Sequence, residues 1–296
     1  MMPNGMNAAC EAMLRTVAFF DVLDYAPTVT EAYAWAEGEG GRPIDPMLLE
    51  EGEGRLALRG RLQPLLQISR ERTPLFPRKL RNAQRVAQWL ACNPNVRFVA
   101  LANTTALAHA RDASDLDFFV IVRHGSIWST RLIGGAPYRL AGKLAGGANE
   151  PPDAVCLSYF ISDESLDLGA HMLRDGADPY FRYWFLALLP LYDDGIGANL
   201  WSANTTITHT HPHAEPWIPS PDIAVRRPHM RLHGAQLLEA PARAFQKRWF
   251  PATIRAQMNR DTSVIVSDRA LKFHVDDRRA QFRAQYDERL KSLNLL

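Results

Sequence analysis

Apolar and polar residues recur with two different periods along the chain, and each period predicts a different kind of element. At the N-terminus the period is helical, with apolar residues at Leu14, Val17, Ala18 and Val22. Thr28 or Thr30 can cap a second helix, and a third short helix is expected around residues 47–49. The stretch GRLALRGRL (54–62) alternates about a central Arg-Gly turn and predicts a β-hairpin. Three short helices followed by a hairpin are the layout of a winged helix, so residues 1–77 are predicted to form a winged-helix-like domain.

The middle of the chain alternates between the two periods and predicts helices between strands. Strands are expected over VRFVALA (96–102), DLDFFVIV (115–122) and AVCLSYFIS (154–162). Helical segments are expected over 78–92, 104–110 and 126–146, the last with an interruption at Gly134-Gly135 and Pro137. We therefore expect residues 78–164 to form an α/β core, and the chain as a whole to belong to the α+β class.

The remaining residues predict a mainly helical C-terminal region over 165–296. Residues 165–192 are rich in aromatic residues and are expected to be helical. The Pro-, Thr- and His-rich tract 201–228 predicts a long loop, and two further helices are expected near 229–247 and 276–293.

Composition indicates a folded protein without a membrane partner. The chain has 296 residues, of which 47% are hydrophobic, so a sizeable core is expected. Its three cysteines, Cys10, Cys92 and Cys156, form no CxxC pair, which is typical of a reducing compartment. The longest oily stretch, 184–192, is much shorter than the ~20 residues that span a bilayer. Because acidic and basic residues also interrupt the apolar N-terminal positions, no signal peptide is indicated, and we expect a soluble cytoplasmic protein.

The net charge of +2 hides an uneven distribution of charge. Residues 1–52 carry nine acidic and two basic side chains, whereas residues 53–97 carry two acidic and ten basic ones. Near the predicted hairpin, Arg55, Arg59 and Arg61 could contact the phosphates of a nucleic acid. A winged helix is also a common module for protein contacts, so this interpretation has an open alternative.

Two aspartates lie at the start of the predicted strand 115–122. Side chains alternate between the faces of a strand, so Asp115 and Asp117 are expected to point the same way, opposite to Phe118 and Val120. Two carboxylates on one face repel each other, and a hard divalent cation such as Mg²⁺ removes that repulsion. The alternative is that D-x-D, a common triplet, merely solvates an exposed strand edge.

The stretch VALANTTALAHARDASDLDFFVIV resembles the nucleotidyltransferase superfamily with the DNA polymerase β-like palm. There an apolar strand and a Gly-Ser turn precede D-x-D by about a dozen residues. The segments SIWSTRL, VCLSYFI, NLWSAN and LKFHVDDRR extend the similarity to a bacterial and archaeal group with a winged-helix-like N-terminal region. The resemblance implies a nucleotidyltransferase-type palm, with a mixed sheet flanked by helices. It also implies Mg²⁺-dependent transfer of a nucleotidyl group from an NTP to an acceptor that the sequence does not identify.

The resemblance assigns roles to individual residues. Asp115 and Asp117 would hold the metal and act in catalysis. Asn103 and Thr104 occupy the place of Gly-Ser at the nucleotide; Thr104 keeps a hydroxyl for a phosphate, whereas Asn103 adds a side chain where the family has glycine. Asparagine tolerates the left-handed backbone region, so the turn can survive. Ser114 and Arg131 are also expected at the nucleotide, with a solvated helix face as the alternative for Arg131.

The superfamily usually takes a third carboxylate from a neighbouring strand. Asp153 is the best candidate here, and Asp163 lies at the far end of the same segment. Either can instead be an ordinary strand-end residue. Because Asn103 departs from the family pattern, two alternatives to catalysis stay open. One is a non-catalytic regulatory or scaffold protein, and the other is a winged-helix regulator that binds nucleic acid.

Overall fold

The computed structural model describes residues 8–38, 45–146, 150–229 and 234–296, and its first elements are helices and a hairpin. They are α1 (Ala8–Val22), α2 (Val29–Ala34), β1 (Leu49–Gly52), β2 (Arg55–Leu58) and α3 (Leu62–Arg72). The third short helix predicted around 47–49 is wrong, because Leu49 already begins β1. The hairpin turns at Glu53-Gly54 rather than at Arg59-Gly60. Glu53 and Gly54 both have positive φ, as a two-residue hairpin turn with the twist of its strands requires.

A six-stranded mixed sheet lies at the centre of the described residues. Its strands are β3 (Val96–Leu101), β4 (Leu116–Val122), β5 (Val155–Ser162), β6 (Leu189–Asp193), β7 (Val264–Val266) and β8 (Ala270–Phe273). Their order is β6-β3-β4-β5-β8-β7. Only β4 and β5 pair in parallel, and the other neighbours are antiparallel. The α+β class and the mixed sheet flanked by helices are therefore confirmed.

The remaining helices connect and cover these strands. They are α4 (Phe76–Ala91), α5 (Asn103–Ala106), α6 (Ile127–Leu140), α7 (Pro179–Leu186), α8 (Gly197–Ala203), α9 (Thr205–Thr208), α10 (Glu239–Arg248), α11 (Ala252–Gln257) and α12 (Arg279–Ser292). Short 3₁₀ turns lie at Thr73–Leu75, Gly169–His171 and Ala235–Leu238. The helices predicted near 78–92 and 276–293 correspond to α4 and α12. The helix predicted near 229–247 corresponds to α10 from residue 239 onwards, and residues 230–233 of that prediction lie outside the described residues.

Helix α6 runs through the interruption that the sequence predicts. At Gly134 the two helices α4 and α6 touch, since a Cβ built there would lie 2.5 Å from the Leu90 side chain. The indole of Trp89 also donates a hydrogen bond to the Gly134 carbonyl (3.0 Å). The glycine pair therefore serves a close helix contact rather than a helix break.

The aromatic-rich segment 165–192 is only partly helical, which corrects its prediction. It contains the eight-residue helix α7 and the edge strand β6. Pro190 lies within β6, where an edge strand tolerates the missing N–H donor. The predicted loop 201–228 likewise includes the end of α8 and all of α9.

Apolar side chains form a core on each face of the sheet. On β4, Leu116 and Phe118 point into one core, while Phe119 and Ile121 point into the other. The core that contains Phe119 also draws side chains from each of the three segments of the predicted division, 1–77, 78–164 and 165–296. These segments therefore bury apolar surface against one another.

No helix within the described ranges combines the length and the apolar character that a membrane crossing requires.

Candidate functional site

Three potential metal ligands meet where the parallel strands β4 and β5 begin. One ligand atom from each of Asp115, Asp117 and Cys156 lies within 4.8 Å of the other two. Asp117 and Cys156 are direct partners in the register between β4 and β5, and Asp115 lies just before β4. All three residues are partly buried. The expectation that Asp115 and Asp117 project together therefore fits this geometry.

A β-bulge follows this pair and determines which residues of β5 face the site. Asp117 pairs with Cys156, whereas Phe119 pairs with Tyr159, so β5 contains one extra residue between the two pairs. The Cys156 thiol donates a hydrogen bond to the Ser158 hydroxyl (3.2 Å). Cys156, rather than either predicted third carboxylate, Asp153 or Asp163, thus lies beside Asp117 on the neighbouring strand.

Asn103 connects the turn after β3 to the carboxylate pair. Its backbone is left-handed (φ 55°), as a glycine's could be. Its amide donates a hydrogen bond to Asp117 Oδ2 (2.8 Å) and its carbonyl oxygen accepts one from the Tyr180 hydroxyl (3.0 Å). The Tyr180 ring stacks on Phe282, with centroids 5.1 Å apart. Asn103 therefore links Asp117 to helices α7 and α12, and nothing in the sequence pattern had pointed to Tyr180.

Burial is the largest cause of a raised pKa at both carboxyl groups and at the thiol. Burial, the charge of Asp117 and the charge of Glu150 together raise the pKa of Asp115 to about 7. Burial also raises the pKa of Asp117, although the hydrogen bond from Asn103 opposes this shift. Burial and both carboxylates raise the pKa of the Cys156 thiol. A cation placed here would relieve all three effects.

The donor set fits Mg²⁺ only in part. The two carboxylates are the hard oxygen ligands that Mg²⁺ prefers, and they are the residues that would hold it. A cysteine sulfur is a soft ligand, which Zn²⁺ accepts readily and Mg²⁺ does not. The structure thus brings together a possible metal-binding group of three residues. The prediction of Mg²⁺ explains the two aspartates but not Cys156.

Asp153, the expected third carboxylate, is not a member of this group. Its carboxylate accepts hydrogen bonds from Lys79 (2.7 Å), Asn82 (2.8 Å) and Arg78 (3.1 Å), all on α4. Burial opposes ionisation, but the hydrogen bonds and charge of Lys79 and its neighbours lower the pKa of Asp153. Asp153, which lies just before β5, therefore connects the start of this strand to α4.

Asp163, the second candidate for a third carboxylate, has other partners at the far end of β5. It accepts a hydrogen bond from the backbone N–H of His124 (2.9 Å) and pairs with Arg97 (3.3 Å).

Thr104 and Ser114, two of the residues expected at the nucleotide, directly follow Asn103 and directly precede Asp115, respectively. Thr104 follows Asn103 in α5 and is half-buried, and its carbonyl accepts a hydrogen bond from the backbone N–H of His109 (2.8 Å). The Ser114 hydroxyl accepts a hydrogen bond from the backbone N–H of Arg111 (3.1 Å), and its carbonyl accepts one from Lys79 (2.6 Å). The assignment of both residues to a nucleotide stays a prediction.

Arg131 has intramolecular partners for its guanidinium. It donates hydrogen bonds to the Leu157 carbonyl (3.0 Å) and to Gln246 (2.7 Å), and it lies over the Phe273 ring at 4.5 Å. Burial lowers the pKa of Arg131 to about 10. Arg131 thus connects α6 to β5 and α10. Neither the predicted contact with a nucleotide nor the alternative of a solvated helix face included this role.

The arginines near the hairpin have protein partners too. Arg61 pairs with the buried carboxylate of Asp21 (2.7 Å) and with Asp24 (3.2 Å). Arg55 donates a hydrogen bond to the Ala26 carbonyl (2.6 Å), and Arg59 donates one to that of Pro46 (2.6 Å). The proposed contact with nucleic-acid phosphates stays a prediction, and these bonds give the three arginines structural roles of their own.

Comparison of the chain with protein-family models, with curated proteins and with solved structures finds no match in any of the three.

Proposed function

We propose that Asp115 and Asp117 bind Mg²⁺ and that the protein transfers a nucleotidyl group from an NTP to an acceptor hydroxyl. The observation that carries this proposal is the pair of carboxylates at the start of β4, close enough to share an ion. Neither forms a salt bridge with Arg78 or Lys79 of α4, since these pair with Asp112 and Asp153 instead. Their mutual repulsion therefore favours a bound cation.

The order of the elements agrees with the proposal. β3 leads through the turn at Asn103 into the antiparallel strand β4, and α6 then crosses over to the parallel strand β5. This order places the turn and the carboxylates at the same end of the sheet. It is also the order of strand, turn and D-x-D strand on which the resemblance to nucleotidyltransferases rests.

Each residue of the site has a role in the proposed reaction. Asp115 and Asp117 would hold the metal, which would supply positive charge against the negative charge that develops in phosphoryl transfer. Asn103 holds the Asp117 carboxylate in place, and Tyr180 holds Asn103. Thr104 presents its hydroxyl next to this turn and would contact a phosphate. Asp153 is a poor proton acceptor for the acceptor hydroxyl, because its pKa is lowered by the basic side chains of α4.

The experiment that tests this function compares two carboxylates in the same segment. The wild-type protein should bind a non-hydrolysable NTP only in the presence of Mg²⁺, and it should transfer label from NTP to acceptors offered as a mixture of alcohols, peptides and oligonucleotides. Asp117→Asn should weaken Mg²⁺-dependent binding by more than about 100-fold, since loss of even outer-shell partners costs about 10- to 100-fold.

Asp112→Asn is the matched control, because the Asp112 side chain is 62% exposed and its ion pair with Arg78 lies at the surface. It should bind the nucleotide as the wild type does. Absence of Mg²⁺-dependent nucleotide binding in the wild type would overturn the proposal.

A second candidate function is a regulatory protein that binds the ligand without turning it over. Two observations favour it: Cys156 stands beside Asp117 in place of a third carboxylate, and Asn103 bonds to Asp117 where the family has glycine. Mg²⁺-dependent nucleotide binding without transfer to any acceptor would support this alternative.

A further inference from the structure

We infer that Asp115, Asp117 and Cys156 bind a thiophilic divalent ion, represented by Zn²⁺, more tightly than Mg²⁺. The inference rests on the metal site of the proposed function but not on nucleotidyl transfer itself. It begins from the disagreement between the ion implied by the resemblance and the donor atoms present: two oxygens and one sulfur, within 4.8 Å of one another.

The positions of the three ligands suit a tetrahedral ion. Zn²⁺ binds sulfur at about 2.3 Å and carboxylate oxygen at about 2.0–2.2 Å, so its ligand atoms lie about 3.5 Å apart. The observed atoms lie within 4.8 Å of one another, so an ion requires the side chains to rotate towards it. Three protein ligands leave one coordination position open for water or a substrate oxygen, as in catalytic zinc sites.

The sheet holds the sulfur in this group by its pairing. Cys156 is the register partner of Asp117 across the parallel strands, so the sulfur and the carboxylate leave the sheet side by side. Asn103 fixes the Asp117 carboxylate from the opposite side through its amide. The pairing of the two strands therefore holds two of the three ligands, Asp117 and Cys156, side by side.

The Cys156 sulfur makes the group bind Zn²⁺ and Mg²⁺ differently. Mg²⁺ would use the two carboxylates and complete its octahedral shell with water, leaving the thiol unused. Zn²⁺ uses all three ligands and deprotonates the thiol that coordinates it. Thiolate ligands select Zn²⁺, whereas carboxylate and water oxygens suit Mg²⁺. A bound Zn²⁺ would therefore compete with Mg²⁺ and control access to the proposed active site.

The inference is tested by metal binding to the full chain under reducing conditions. We expect the wild type to bind one equivalent of Zn²⁺ that an approximately 1,000-fold excess of Mg²⁺ does not displace. With Co²⁺ as a probe, the wild type should show thiolate-to-metal charge-transfer absorption. Cys156→Ser should lose this absorption and weaken Zn²⁺ binding by at least about 100-fold, because a direct ligand is removed.

Two further variants sharpen the test. Cys156→Asp supplies a third carboxylate and should shift the preference towards Mg²⁺. Cys92→Ala removes a buried cysteine outside the group and should retain both the absorption and the Zn²⁺ affinity of the wild type. Urea unfolding of each variant without metal checks that loss of binding is not loss of folding.

An unchanged Zn²⁺ affinity in Cys156→Ser, or Co²⁺ charge-transfer absorption that persists there, would overturn the inference. So would Zn²⁺ affinity in the wild type that does not exceed its Mg²⁺ affinity. The proposed function fails separately, if the wild type binds Zn²⁺ through Cys156 but shows no Mg²⁺-dependent nucleotide binding.

Discussion

Asp115 shows how a single side chain responds to its neighbours. In water its carboxyl group would ionise near pH 4. Here burial, Asp117 and Glu150 raise its pKa to about 7, so that the folded protein holds a proton that the unfolded chain has already lost. A side chain that would hold a cation therefore lowers stability above pH 7 when no cation is bound.

This shift predicts that stability falls as the pH rises from about 4 to about 7. In that window the folded state binds more protons than the unfolded state, so the free energy of unfolding decreases with pH. The full shift corresponds to about 4 kcal/mol, and we expect about 2–4 kcal/mol because Asp115 is partly solvated and coupled to Asp117. Asp115→Asn should lack this loss and be more stable than the wild type at pH 8.

Urea unfolding with a metal chelator at pH 5 and at pH 8 measures the effect as the difference between wild type and variant. Addition of a divalent ion should restore stability to the wild type at pH 8 and should help Asp115→Asn much less. Equal pH dependence in the two proteins would contradict the prediction.

At the scale of elements, α4 determines how the strand ends meet. Lys79 is 1% exposed, and its ammonium group bonds to the carbonyl of Ser114, just before β4, as well as to the Asp153 carboxylate, just before β5. One buried lysine therefore fastens the entrances of both parallel strands to the same helix. This contact positions Asp115 and Cys156 without touching either of them.

Asp153→Ala should therefore act on stability rather than directly on the metal. It leaves Lys79 buried without its carboxylate, and removal of one partner of a buried pair costs about 3–5 kcal/mol. Asp112→Ala breaks only an exposed pair with Arg78 and should cost less than about 1 kcal/mol. Urea unfolding compares the two variants.

Where Asp153→Ala is folded, it should still bind one divalent ion. A folded Asp153→Ala protein that has lost all metal binding would instead favour Asp153 as a metal ligand.

The whole molecule is held together by a core that joins distant parts of the chain. Phe19 of α1 stacks on Tyr183 of α7, with ring centroids 4.4 Å apart, and meets Tyr286 of α12 edge-on at 5.7 Å. Arg61, at the start of α3, and Arg289 of α12 both reach the buried carboxylate of Asp21. Helix α12, near the C-terminus, thus packs on α1, near the N-terminus.

This packing predicts that the N-terminal region unfolds with the rest. Phe19→Ala should lower the free energy of unfolding by about 3–5 kcal/mol, the usual cost of removing a buried phenylalanine. Phe245→Ala removes a ring that is 53% exposed and should change it by less than about 0.5 kcal/mol. Tryptophan fluorescence and far-ultraviolet circular dichroism should report one shared transition. A separate early transition of residues 1–77 would contradict the prediction.

Local periodicity determined much of what the sequence predicts correctly. The alternation in β4 places Asp117 opposite Phe118, and the apolar spacing of residues 78–92 identifies α4. Both patterns depend on residues within a few positions of one another, so a single sequence is enough to recognise them. The short strands β6, β7 and β8 were not predicted, because a brief apolar run has no clear period.

Tertiary structure alone decided which side chains surround the carboxylates. Cys156 lies beside Asp117 because of the strand register, although 39 residues separate the two in the sequence. Lys79 pairs with Asp153, which lies 74 residues further along the chain. Arg131 is drawn inside by Gln246, which is 115 residues away. A periodic pattern shows which face a residue occupies but not which strand or helix lies beside it. The sequence therefore determined that the two aspartates project from the same face of a strand. The pairing of β4 with β5 decided that a cysteine sulfur lies beside them.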